Sequence, residues 1–271
     1  MTAAAAALLG TDHYVYRRDG KIYVHRVGGG DPIVFLHAVG LSGWTWGKVI
    51  DQFARQFACY NIDMPGHDHS DIPPRKYSMD DYTDAIVDVM DAIGLERTHI
   101  VADHTGTMIA LILAGRHPDR VNRMILDGPI YWNRKIGQII WEKWFLPKYT
   151  DTTSYHIPVR PQWGWEDWQV DHPGLDEAVF EEMKVIHERS RLWIRLSQEE
   201  NSDFDVEVAA AKVNTPALLV YGETDVLRRG EERAREGIKG SVVKIVPDSA
   251  GVVHQQRPDE FVKLTVEFLN G

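Results

Sequence analysis

Apolar runs and amphipathic stretches alternate along most of the chain. Asp12 to Val27 alternates apolar and polar positions around Asp19-Gly20, a two-residue hairpin signal. Pro32 to His37 is a continuous apolar run, as expected of a strand buried on both faces of a parallel sheet. Behind a glycine-containing loop, Trp46 to Phe57 has helical spacing, and Ala58 to Asp63 is the next strand. Met79 to Ile93 is again helical in spacing, with Ser78 placed as its N-cap. Thr98 to Leu113 runs from an apolar strand through a tight turn into an apolar helix, closed by Arg116-His117-Pro118. Arg123 to Leu126 predicts another strand, as do Pro216 to Tyr221 and Ser241 to Val246, and Pro258 to Leu269 is a last amphipathic helix. Strands alternating with helices predict an α/β fold: a mostly parallel sheet with right-handed crossovers, flanked by helices.

The alternation breaks between Pro129 and Asp203. Strand signals vanish there, and Trp132, Trp141, Trp144, Trp163, Trp165, Trp168 and Trp193 supply seven of the chain's nine tryptophans. The stretch predicts a mainly helical insertion over the C-terminal edge of the sheet. The expected organisation is therefore 1–128 as the first part of the core, 129–203 as a helical cap and 204–271 as the second part.

With 44% hydrophobic and 26% charged residues, the 271-residue chain has enough apolar material for one large core. A formal charge of −10 argues against nucleic acid, whose phosphates demand a basic face, and against an anionic membrane surface. Cys59 stands alone, so no internal disulfide forms, which suits a reducing compartment. Met1 to Gly10 is alanine-rich, without the basic region or the apolar length of a signal peptide. No apolar run approaches the length of a bilayer-spanning helix. These features predict a cytoplasmic protein.

Chemistry concentrates at the turn Ala102-Asp103-His104-Thr105-Gly106. Small residues two places before and two places after the central one have the spacing of a nucleophile elbow, a strand-to-helix corner that holds its middle side chain exposed at the top of the sheet. Centring the turn on Asp103 would put Val101 and Thr105 at the small positions, and centring it on Thr105 would put Asp103 and Thr107 there; both fit worse. His104 therefore holds the place where a serine is usual.

Several further segments stand in a telling order. Leu36-His37-Ala38-Val39-Gly40 precedes Asp63-Met64-Pro65-Gly66-His67-Asp68-His69-Ser70; the elbow, the insertion and Tyr221-Gly222-Glu223-Thr224-Asp225 follow. In this order the chain resembles the α/β-hydrolase superfamily, in its capped, esterase- and epoxide-hydrolase-like branch, along nearly its whole length. The resemblance implies a sheet of about eight strands. It also implies a triad of nucleophile, acid and histidine in that chain order, with no cofactor.

Carried over residue by residue, the resemblance makes Asp225 the orienting acid and Asp127 the reserve acid. It makes the backbone N–H groups of Ala38 and Thr105 the oxyanion hole. His37 and Trp132 are candidate substrate contacts. The family's histidine directly follows an Ala-Gly pair, but Ala250-Gly251 is followed by Val252-Val253, and only then by His254, in a loop about one residue short. His254 either swings into the site or is the helix-start residue that some relatives carry besides the catalytic one. Arg134, Arg191 and Arg195 either meet a substrate carboxylate or pair with glutamates such as Glu188.

Three functions remain open. His104 serves as base or nucleophile on a small, fairly apolar ester or lactone. Alternatively, base and oxyanion hole run a lyase or cofactor-free oxygenase reaction, or the capped cavity only binds a ligand. His37, Asp63, His67, His69, Asp103 and His104 fall at or after strand ends, and such donors suit zinc or iron. No pair has the His-x-x-x-His spacing, and no metal is assigned. The expected partner is a small molecule; the oligomeric state is not readable.

Overall fold

The computed structural model describes residues 10–149, 165–166, 169 and 176–271. One eight-stranded sheet runs in the order β1-β2-β4-β3-β5-β6-β7-β8. Its strands are β1 (Thr11–Arg17), β2 (Gly20–Gly28), β3 (Asp31–Leu36), β4 (Phe57–Ile62), β5 (Thr98–Asp103), β6 (Val121–Asp127), β7 (Ala217–Gly222) and β8 (Val242–Val246). β1 and β2 form the expected hairpin, with Val15 opposite Ile22, and β2 pairs antiparallel with β4. The other five pairings are parallel.

Apolar alternation along the central strands feeds two cores. On β3, Val34 and Leu36 join one face with the helices α1 (Met79–Ala92) and α2 (Thr105–Arg116). Ile33 and Phe35 join the opposite face, with Trp46, Phe53 and Phe261. Helices on both faces leave Ile33 to Leu36 of this strand wholly buried, which is why they read as an unbroken apolar run. α1 starts at a capping box: Ser78 Oγ accepts from the Asp81 amide and the Asp81 carboxylate accepts from the Ser78 amide.

Two segments differ from their sequence pattern. The helical spacing of Trp46 to Phe57 resolves into a 3-10 turn at Gly43–Trp46 and a single α-turn at Ile50–Phe53. Trp46, Val49 and Phe53 are spaced to pack on the sheet face, and the Trp46 and Phe35 rings lie 5.4 Å apart. The periodicity thus serves packing rather than a continuous helix. β6 begins at Val121, two residues before its expected start, because Thr98 of β5 pairs with it.

Between β6 and β7 the described residues are mainly helical. α3 (Arg134–Ile140) continues into a π-turn at Trp141–Phe145, and α4 (Glu177–Asp203) is 27 residues long. Trp163 and Trp168 lie outside the described residues, as does the side chain of Arg191. α5 (Pro258–Asn270) closes the fold. No helix among the described residues is long and apolar enough to cross a membrane.

β4 and β5 flank β3 on opposite sides, so the chain turns one way after β3 and the other way after β5. The loops leaving these two strand ends diverge and open a crevice, the usual ligand position of an open α/β sheet. The loop with Ala38 and the turn with His104 are its walls.

Candidate active site

The corner after β5 is built as its residue sizes demand. His104 has φ 43° and ψ −105°, a conformation disfavoured for any side chain, and α2 begins at the next residue. A Cβ on Gly106 would lie 2.3 Å from the Leu36 carbonyl oxygen, so only glycine lets α2 sit this close to β3. Ala102, on the other side, is fully buried.

His104 opens into a cavity of about 690 Å³. Ala38, Thr105, Trp132 and Asp225 line it with His104, and α3 and α4 contribute Ile136, Ile140, Met183, His187 and Asn201. The walls are mainly apolar, with a few polar groups contributed both by the sheet end (His104, Asp225) and by α4 (Gln198, Asn201, Ser202), as small-molecule sites are built. Neither the Ala38 nor the Thr105 backbone N–H has a hydrogen-bond partner among the described residues.

His104 and Asp225 converge on two glycines. A Cβ on Gly128 would lie 2.8 Å from His104 Nε2 and 3.3 Å from Asp225 Oδ2; one on Gly251 would lie 3.3 Å from His104 Nε2 and 3.4 Å from Asp225 Oδ1. Imidazole and carboxylate therefore share the space beside Gly251, the residue after which the family pattern places its histidine. Asp225 Oδ1 accepts from the Leu227 amide at 2.8 Å, while Oδ2 is buried without a partner among the described residues.

His254 is placed elsewhere. It is fully buried in the short turn Val253–Gln256, outside the cavity lining, with its ring 4.4 Å from that of Trp46. Its Nδ1 is 2.7 Å from Asp127 Oδ2 and its Nε2 2.8 Å from Thr45 Oγ1. His254 thus pairs with the reserve acid, not with Asp225. His37 is also fully buried and outside the lining: the Met64 amide donates to its Nε2, and Nδ1 donates to the Ala38 carbonyl at 2.7 Å. It fixes the loop that carries Ala38. Arg134 donates to the Asp203 carbonyl, and neither Arg134 nor Arg195 lines the cavity.

The family model described as "alpha/beta hydrolase fold" matches residues 31–227. The chain belongs to the α/β-hydrolase family. Over 109 residues it is 35% identical to a 2-hydroxymuconate semialdehyde hydrolase of Pseudomonas sp. (strain CF600), a match spanning 39% of this chain and only 38% of that protein's length. It is 22% identical to an uncharacterized carboxylesterase of Bacillus subtilis (strain 168), across 95% of this chain and 86% of that one. The enol-lactonase from Burkholderia xenovorans LB400 is similar in fold, with a TM-score of 0.72 and 18% identity over 96% of this chain and all of that one.

In this α/β-hydrolase the strand register crowds carboxylates beneath the elbow. Asp103 and Asp127 are direct neighbours on β5 and β6. Burial raises the Asp103 carboxyl well above the usual range, and the charges of Asp127 and Asp225 add to it. Burial also pushes Asp225 up to about 7, against the Leu227 amide and with the Asp127 charge. The His104 imidazole is pushed down to about 4, by burial first, with Asp127 opposing and His254 adding. At neutral pH it is the neutral, proton-accepting form.

Two groups of side chains could hold a cation. Asp103, Asp127 and His254 offer donor atoms within 4.8 Å of one another, as do Asp63, Asp68 and His69. In each the imidazole already bonds a carboxylate, and Arg189 holds Asp68 at 2.8 Å in the second. Sequence reading assigned no role to Asn201, a site residue on α4. A lone asparagine in a polar helix carries no periodic signal; only the packing of α4 over the elbow brings it in.

Proposed function

We propose that the protein hydrolyses small, fairly apolar carboxylic esters or lactones, with His104 as a general base acting on water. The observation that carries this reading is the convergence of the elbow imidazole and Asp225 beside Gly251. Where the family brings a histidine to the acid from the C-terminal loop, this chain brings one from the elbow. One side chain then replaces two, and water replaces the nucleophilic hydroxyl. Relatives that include a semialdehyde hydrolase, a carboxylesterase and an enol-lactonase support a hydrolytic reading.

In the first step a water oxygen bonds to the substrate carbonyl carbon while His104 Nε2 takes one of its protons. The carbonyl oxygen becomes an oxyanion received by the Ala38 and Thr105 amides, backed by the N-terminus of α2. Asp225 in its ionised form stabilises the imidazolium. Collapse of the tetrahedral intermediate breaks the carbon–oxygen bond, and the imidazolium returns its proton to the leaving alkoxide. The products are a carboxylic acid and an alcohol. Helices 134–140 and 177–203, within the proposed cap, contribute lining to the cavity into which His104 opens.

The test is turnover of a panel of short-chain aryl esters and lactones by the wild type and by His104→Ala. Turnover lost in the variant and partly restored by added imidazole supports the base reading. A wild type inert toward every member of the panel sinks it.

A further inference from the structure

Three elements meet on one hydroxyl at the edge of the cavity. Thr105 Oγ1 accepts a hydrogen bond from Asn201 Nδ2 at 2.7 Å and another from the Val39 amide at 3.3 Å. The elbow, the loop after β3 and helix α4 are tied together there. Asn201 is 5% exposed and lines the cavity beside Thr105. Trp132 Nε1 donates to its backbone carbonyl at 3.3 Å, so the residue is held at both ends. With Nδ2 committed to Thr105, the side-chain oxygen Oδ1 is buried and has no hydrogen-bond partner among the described residues.

A buried acceptor without a donor is unfavourable, and a ligand that supplies the donor removes the penalty. Thr105 carries both the backbone amide facing the reacting oxygen and the hydroxyl that grips Asn201. The oxyanion hole and Asn201 Oδ1 are thereby fixed relative to each other by a single residue. We propose that Asn201 Oδ1 is a specificity-determining acceptor, which selects carbonyl compounds bearing a hydroxyl or N–H on the atom beside the carbonyl.

This inference rests on Thr105 being an oxyanion-hole residue, as in the proposed function, but not on hydrolysis itself. A substrate with hydrogen in place of the donor leaves Oδ1 unpaired. One with an ether oxygen there sets two lone pairs against each other. Sites built to bond a donor discriminate against both kinds of analogue.

Binding of unreactive ketones to the full chain tests it. Calorimetry would compare acetophenone, α-hydroxyacetophenone and α-methoxyacetophenone on the wild type, Asn201→Leu and Asn201→Asp. The hydroxy ketone is expected to bind the wild type about 10-fold more tightly than the other two, the value of one net hydrogen bond. The preference should vanish in Asn201→Leu and survive in Asn201→Asp, which keeps an acceptor. Equal affinities in the wild type, preference for the methoxy ketone, binding of none of the three, or a preference that persists in Asn201→Leu would each overturn it. Because no ketone is hydrolysed, a wild type that shows the preference yet cleaves no ester would sink the hydrolase reading alone.

Discussion

His254 hydrogen-bonds Asp127, its Nδ1 2.7 Å from Oδ2, while the elbow imidazole has its Nδ1 3.5 Å from Asp103 Oδ1 and shares the space beside Gly251 with Asp225. The protein therefore places two imidazoles among adjoining carboxylates at the C-terminal edge of one sheet. One is sealed, with Thr45 closing its far side; the other faces the cavity.

The sealed pair is expected to matter for stability. Removing one partner leaves the other buried and unmatched, so Asp127→Ala should cost about 3–5 kcal/mol in urea unfolding. His254→Phe, which keeps ring packing against Trp46, should cost less, and its effect on ester turnover should be far smaller than that of His104→Ala.

The elbow residue should show the opposite balance. His104→Ala is expected to lower kcat/KM for an aryl ester by about 100-fold or more, the span of a general base. His104→Gly should be equally inactive but more stable than His104→Ala by about 1 kcal/mol, because a Cβ at φ 43° is strained and glycine has none. Equal melting temperatures for the two variants would remove strain from the account of the elbow.

Activity should depend on Asp225 ionisation. His104 stays neutral down to about 4, so the rising limb of kcat/KM should follow Asp225, near 7, and Asp225→Asn should lack that limb. Stability runs the other way. Asp225 holds its proton more tightly folded than unfolded, where the ordinary value is 3.8, so its contribution to stability falls as pH rises from there to about 7. Asp225→Asn should thus gain on the wild type in thermal unfolding as pH rises from about 4 to about 7.

The two glycines separate crowding from conformation. A Cβ at Gly251 would stand 3.3 Å from His104 Nε2, tight but accommodated by a small shift, so Gly251→Ala should lose activity several-fold with little loss of stability. Gly128 has φ 53° and a Cβ there would stand 2.8 Å from Nε2, so Gly128→Ala should lose both. Chemical denaturation beside ester kinetics distinguishes the cases.

Sequence by itself determined the α/β sheet, because buried parallel strand segments such as 33–36 and 100–102 need continuous apolar runs. It also determined the elbow, because Gly106 must clear the Leu36 carbonyl. Those requirements are local, and local spacing records them. The partner of His254 was not legible: both acids stood at plausible positions, and a loop one residue short could have carried the ring either way. Only tertiary packing decided it, by seating the ring on Trp46 between Thr45 and Asp127. Tertiary structure likewise turned His37 inward and brought Asn201 across 96 residues of chain to Thr105. Contacts between elements distant in sequence depend on how helices lie over the sheet, and no periodicity along the chain encodes that placement.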